Sequence, residues 1–370
     1  MGTTEAPMKR FNDNYQMEIT TMSDKNQDIP RVTGLLVIEV RNSNPNGDPD
    51  RESDPRTRGH DGRGIISDVS FKRKLRDLVW NGRELPVWDL TTNQTPADFV
   101  AKYAMGCSPV WDDLARVMGG LDPILNQVYV CRGRTYQEPS NDAAFEEFKR
   151  RYWDCRLFGN TVIEKADEVA PAEEVEPDTK KKGGKPKKQS GRYIRTGAAT
   201  FGIGTSAAKV RIQRDTNTVK AAVQEGKDRG MAPLGFRIVE HGVYAMPFLI
   251  NPSAARHSGC TQSDIELMCR LIPFAYPHNA SRIRPFVEVR HAWYFEHTSP
   301  LGSCSDFAIL DTLTPTKADP KEPSTSWEDY GYDGDAILKG AKEKFAGKFE
   351  HFGDLCDQDF VNQVFPHGNG

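Results

Sequence analysis

Apolar residues in this chain come in short bursts between long polar stretches. The clearest burst is LLVIEV, residues 35–40, rich in β-branched side chains, and it predicts a buried strand. The apolar signal then stops. From Asn42 to Gly64 nearly every residue is polar, Gly or Pro, with Asn-Pro, Asn-Gly and Asp-Pro steps that break regular structure. A loop this long inside a compact domain is uncommon unless it is functional. It ends at Ser67-Asp68, a good N-cap pair, and a helix follows. At about 100° per residue, Phe71, Leu75, Leu78 and Val79 share one side of that helix. Lys72, Arg73 and Arg76 fall on the other.

Residues 1–31 show no periodicity and read as a flexible or partner-docked arm. A strand is expected within 83–90. Thr95-Pro96 opens a helix to about Met105, and Ser108-Pro109 opens a second that Gly119-Gly120 stops. Trp111, Leu114, Val117 and Met118 give the second helix a core face. A third helix spans 141–153 and leads into DCRLFG, residues 154–159. Arg156 there either reaches a ligand or pairs with Asp154.

Residues 164–190 hold an acidic block, then a lysine block, with no aromatics. Such a segment cannot bury enough apolar surface to order itself, so it reads as a disordered insert. Residues 191–233 are rich in Gly, Thr, Ser and Ala with interspersed Arg and Lys, which suits extended hairpins. FRIVEHGVYAMPFLIN (236–251) and VEVRHAWYFE (287–296) read as strands, with a helix from Thr261 to about Ile272 between them. PLG at 300–302 is a turn, and LDTL at 310–313 reads as a last core strand. The tail from Trp327 is acidic and aromatic, with one helix near 335–346.

Composition changes the picture in one respect. The net charge of -3 provides no global drive toward a polyanion, so any nucleic-acid binding must come from local basic patches. The 370 residues suffice for one elaborated domain or two. Nothing reads as a signal peptide or membrane span, which makes a cytoplasmic location the expectation. Seven cysteines are scattered without a CxxC pair, so neither a disulfide framework nor a zinc site is expected. No GxGxxG or Walker lysine pattern opens a helix, which argues against a dinucleotide or P-loop site.

The loop and the helix after it together carry Arg51, Arg56, Arg58, Arg63, Lys72, Arg73 and Arg76, a local cationic surface suited to phosphates. NPNGDPD (44–50), an Arg- and Gly-rich loop, then ISDVSFKRKLR (66–76) resembles the opening of the backbone subunit of type I CRISPR interference complexes (Cascade), most nearly the type I-C form. Asp-x-Arg-Leu-Phe-Gly at 154–159, HGVY and HTSPLG extend the similarity. The family's Gly-Pro-Val-Gln reads Gly197-Ala-Ala-Thr here, and the 164–190 insert is longer than the family's segment.

The resemblance implies an α+β fold of the repeat-associated superfamily: a modified RRM-like (ferredoxin-like) antiparallel sheet with long-loop, helical and thumb-hairpin insertions. The divisions expected are an arm (1–31), a core (32–326) with its insert (164–190) and thumb-like region (191–233), and a C-terminal extension (327–370). It implies a non-catalytic subunit of antiviral defence that binds guide RNA (crRNA) and polymerises along it as a helical filament. Its partners would be crRNA, target DNA through the guide, further copies of itself and other Cascade subunits, with no cofactor, metal or membrane. The residues carried over for RNA are Asn44, Asn46, Arg58, Arg63, Ser67, Ser70, Lys72, Arg73, Arg76, Arg156, Arg192 and Arg195. The alternative is a type III-like endoribonuclease that cuts target RNA with a loop aspartate (Asp48, Asp50, Asp54 or Asp61) and a divalent metal. Aspartates in an Asn/Gly/Pro loop also serve simply as turn formers.

Overall fold

The computed structural model describes residues 29–79, 142–160, 194, 196–220 and 231–366. The helices and strand expected within 83–119, the insert 164–190, Arg192 and Arg195, and nearly all of the 1–31 arm lie outside the described residues. Strand β1 is Val32–Ser43, and every residue from Val32 to Val40 is buried. Such a strand must be covered on both faces, which is why its sequence is a continuous apolar run rather than an alternating one. Two short strands, β2 (Gly47–Asp48) and β3 (Asp54–Pro55), form a small hairpin in the loop. β4 (Arg63–Ile66) leads into helix α1 (Asp68–Val79).

The next described elements are α2 (Asp142–Arg151) and α3 (Trp153–Phe158), a break at Tyr152 dividing the single helix expected there. β5 (Ala199–Phe201), β6 (Gly204–Lys209) and β7 (Ile212–Lys220) then run in succession along one edge of β8 (Met231–Ile250). Helix α4 (Pro252–Ser258) is capped by Asn251, and α5 (Gln262–Leu271) by a capping box between Thr261 and Asp264. β9 is Val287–His297. After it come α6 (Asp306–Leu313), α7 (Gly334–Lys344), β10 (Phe349–Asp354) and α8 (Gln358–Val364). LDTL therefore closes a helix and is not a strand. Ser305 caps α6, and the buried Ile309 and Leu313 are spaced one turn apart. Two leucines flanking Asp311 and Thr312 do not by themselves separate the two periods.

The fold is mixed α+β, built on one large antiparallel sheet of order β10-β9-β1-β8-β6-β4, with β5 and β7 also paired to β8. β1 is central: Val32 faces Ile250 of β8 and Glu296 of β9. Its even residues Leu36, Ile38 and Val40 enter a core with Phe71, Leu75, Trp153, Phe248 and Leu271. The odd residues Leu35 and Val37 enter a second core with Trp293, Phe295, Ile309 and Phe345. Helices α1, α3, α5 and α8 cover one face, α6 and α7 the other. Gly34 lies where a Cβ would sit 2.1 Å from the Phe248 ring, so any side chain there would displace the core.

β8 outlasts β1. Pairing with β1 ends at Ser43 opposite Val239, while β7 pairs with β8 from Val239 back to Met231. The pair thus extends beyond the sheet as a two-stranded arm, at the end where β1 gives way to the loop. The hairpin character expected for 191–233 is present in β7, but its second strand continues into the core. No helix among the described residues is long and apolar enough to cross a membrane. Five described cysteines are free thiols.

Candidate nucleic-acid interface

The long polar loop is ordered by its own polar residues. Asn46 accepts the Ser67 N–H at 2.8 Å and the Arg56 N–H on its backbone carbonyl at 2.9 Å, so it ties the start of the loop to the start of α1. Ser67 Oγ accepts the Ser70 N–H as the helix cap. Asn44 is buried and donates to the Ser53 carbonyl at 2.8 Å, while its Oδ1 has no hydrogen-bond partner among the described residues. Three non-glycine residues, Asn42, Glu52 and Ser53, take positive φ here. Such strain persists only where the surroundings over-determine the backbone. Gly64 is held against Tyr244, whose hydroxyl would lie 2.2 Å from a Cβ at that position.

Asp48, Glu52, Asp54 and Asp61 in the loop are matched by guanidinium groups, whereas Asp50 is exposed with no ion-pair partner among the described residues. Asp48 caps the turn at 49–51 and pairs with Arg56 at 3.4 Å. Asp54 binds Arg214 of the arm at 2.7 Å and lies 3.5 Å from Arg237, and Glu52 also pairs with Arg237. These contacts seat the loop on the base of the arm. Asp61 takes Arg58, in an ion pair with Arg63 at 3.6 Å as well, and the Arg58 guanidinium holds its carboxyl down to about 2. Two arginines share one aspartate, which leaves the turn net positive. Among the described residues no three His, Cys, Asp or Glu side chains converge as a metal site.

The basic helix does not present one cationic face. Arg73 is 68% exposed, with Asp77 at 2.7 Å. Lys72 is 13% exposed and bound to Asp68 at 2.9 Å. Arg76 contradicts the expected polar face: it is buried, paired with Asp154 at 2.9 Å, and its guanidinium stacks 4.9 Å from the Phe158 ring. Helix α3 packs on that flank of α1 and turns it into an interior. Arg156 is also interior. It pairs with Asp264 at 2.6 Å, not with Asp154, and donates to the Lys149 and Arg150 carbonyls. Both arginines tie helices together, and both side chains are nearly fully buried.

Two cations that the helical pattern did not single out occupy the same end of β1. Lys74 and Arg284 are half-buried and interact repulsively with each other, and neither has an ion-pair partner among the described residues. Burial, with Arg284 beside it, pushes the Lys74 ammonium down to about 8, and burial likewise lowers Arg284. Arg284 Nε donates to the Asn44 carbonyl at 2.8 Å, which fixes it beside the orphaned Asn44 Oδ1. Exposed Arg282 lies two residues away. Asp77 offsets the Lys74 charge only in part, and like charges desolvated side by side are unfavourable alone and favour an incoming anion. No sequence signal marks this pair, because about 210 residues of chain separate two positions that the sheet brings together.

A sheet-centred α+β protein whose loop, arm and first helix meet at a cationic end is the class this architecture defines. The profile of the family described as CRISPR-associated protein Cas7 matches residues 30–335, and the chain belongs to that family. It is 24% identical over 235 residues to the CRISPR-associated protein Cas7 of Haloferax volcanii, a match covering 63% of this chain and 60% of that relative's length. Similar chains occur in solved structures described as a CRISPR RNA-guided surveillance complex, pre-nicking (TM-score 0.39, 14% identity, 85% of this chain and 89% of that one). A CRISPR RNA-guided surveillance complex also matches (0.37, 12%, 91% and 86%), as does a type III-B Cmr-beta complex bound to cognate target RNA (0.34, 9%, 77% and 68%).

Proposed function

We propose that this chain is a guide-RNA-binding backbone subunit of a CRISPR effector complex, of the type I Cascade kind and nearest to type I-C, with an RRM-like core. It binds RNA backbone without cutting it and lines up in several copies along one guide. Base pairing between guide and DNA then supplies sequence specificity. Other Cascade subunits complete the assembly in the cytoplasm. The observation that carries this reading is the half-buried cation pair Lys74 and Arg284, with Arg284 held on the Asn44 carbonyl, in a member of this family. Asp48, Asp54 and Asp61 each hold an arginine, which favours positioning over metal catalysis for these three and leaves exposed Asp50 as the aspartate the nuclease reading would need.

The test is to incubate the full chain with single-stranded RNAs of graded length and weigh the complexes by mass photometry. Evenly spaced, salt-sensitive mass steps are expected, because each bound copy offers RNA and contact surface to the next. One copy at every length points to a simple RNA-binding module. Magnesium-dependent cutting of a complementary RNA points to the type III-like nuclease instead.

A further inference from the structure

The segment that carries Arg284 is tied down along its length. Asn279 Nδ2 donates to the Lys74 carbonyl of α1 at 3.1 Å. A tight turn follows, in which the Arg284 N–H donates to the Ser281 carbonyl at 2.9 Å. Residues 283–286 then lie along the end of β1. The Asn44 N–H donates to the Ile283 carbonyl at 2.7 Å, and Arg284 Nε donates to the Asn44 carbonyl at 2.8 Å. The Phe286 N–H donates to Ser43 Oγ at 2.9 Å, and the Phe286 carbonyl accepts the Arg41 N–H at 3.0 Å. The backbone of Phe286 is therefore fixed before any ligand arrives. Its side chain nonetheless extends into solvent, 65% exposed.

Among the described residues the exposed Phe, Tyr and Trp rings are Phe286 and Phe307. Phe307 lines an apolar groove with Leu301, Leu310 and Pro247, a setting for apolar contacts on several sides. Phe286 keeps different company. Exposed Arg282, half-buried Arg284 and exposed Pro285 precede it, and exposed Glu288 follows Val287. Arg41, bonded to it through the backbone, is 56% exposed and paired with Glu39. A single ring among charged groups offers little area to the apolar face of a protein, but it offers a whole face to a flat π-system. Surfaces that hold single-stranded nucleic acid combine cations for the backbone with aromatic rings on which bases stack. Lys74 and Arg284 are such cations, and the one tied-down segment that reaches from the Lys74 carbonyl to β1 presents Phe286 two residues beyond Arg284.

We infer that Phe286 is a stacking platform for a nucleobase of the RNA whose phosphates Lys74 and Arg284 hold. This rests on the RNA-binding reading above and assigns the base contact of that same site. Stacking addresses the face of a base and not its edge, so Phe286 adds affinity without sequence preference. Sequence is then left to base pairing.

The test compares the full chain with F286A and F286W on two short oligomers, oligouridylate and the same ribose-phosphate backbone without bases. The ring is exposed, so thermal unfolding should show the parent's midpoint for both variants. F286A should weaken oligouridylate binding by about fivefold or more, the low end of what one stacked base contributes. F286W should keep or exceed the parent's affinity. On the base-free oligomer all three chains should bind alike. The salt slope should also be the same for all three, because no phosphate contact is lost. F286A matching the parent on oligouridylate overturns the inference, as does an equal loss on both oligomers, a shallower salt slope in F286A, or a tryptophan that binds no better than the alanine. A parent chain that binds neither oligomer overturns the RNA-binding reading instead.

Discussion

Two pairs of basic residues near the first helix perform opposite tasks. Arg76 and Arg156 are nearly fully buried, each against an aspartate from another helix, Asp154 and Asp264. Lys74 and Arg284 are half-buried against each other; Asp77 attracts Lys74 from beyond ion-pair distance, and neither cation has an ion-pair partner among the described residues. A buried pair broken on one side leaves an uncompensated charge in the core, so the first pair belongs to folding. A desolvated cation without a partner lowers stability until an anion arrives, so the second belongs to binding. The difference between structural and ligand-binding cations here is the company they keep, not the residue type.

The largest expected effect tests the first pair. Asp264→Ala strands Arg156 in the interior and removes the capping box of α5. It should cost about 3–5 kcal/mol by urea unfolding, with the RNA affinity of the folded fraction unchanged. A loss of RNA affinity without a loss of stability would erase the distinction between the pairs.

Charge reversal in the second pair comes next. Lys74→Glu and Arg284→Glu should each weaken single-stranded RNA binding about tenfold and lower the salt slope by about 0.7 per lost phosphate contact, whatever the RNA sequence. The neutral variant Lys74→Met should bind RNA weakly yet unfold at the same or higher urea concentration than the parent. Lower stability in Lys74→Met would mean that the cation holds the fold after all.

pH sharpens the same contrast. The Lys74 ammonium sits at about 8 in the folded chain, below the ordinary 10.5. The unfolded chain therefore holds more protons between those values, and folding stability should rise with pH across that window. Anion binding needs the protonated amine, so affinity for oligoadenylate, whose bases do not titrate there, should fall as pH rises through about 8. Lys74→Arg should bind without that decline. A parent chain with flat affinity across the window would remove Lys74 from the interface.

The smallest effect belongs to the residues whose charge is already answered locally. Lys72→Ala and Arg73→Ala remove i,i+4 partners of Asp68 and Asp77. Each should change stability by about 0.5 kcal/mol or less and RNA affinity by about twofold or less. A tenfold loss at Arg73 would show that its exposed guanidinium leaves Asp77 for a phosphate.

Much of this protein is determined locally and was readable as such. An apolar run with no polar alternation had to be a strand covered on both faces, and LLVIEV became the centre of the sheet. Ser67-Asp68 and Thr261 each set a helix start through bonds spanning three residues. The Asn/Gly/Pro composition of 42–64 fixed a loop, and ordered motifs along it carried the family resemblance. What tertiary structure alone decided is which charges face inward. Helical periodicity places Arg76 on the polar side of α1, but periodicity describes one helix against one core. Helix α3, brought in from about 80 residues away, adds a second interior on that flank. Likewise Lys74 and Arg284 look solvated in sequence. They become a desolvated pair because β1 and β9 hold the turn before β9 against the start of the loop. Charge pairing depends on distance in space, and local sequence carries no measure of that distance until the sheet closes.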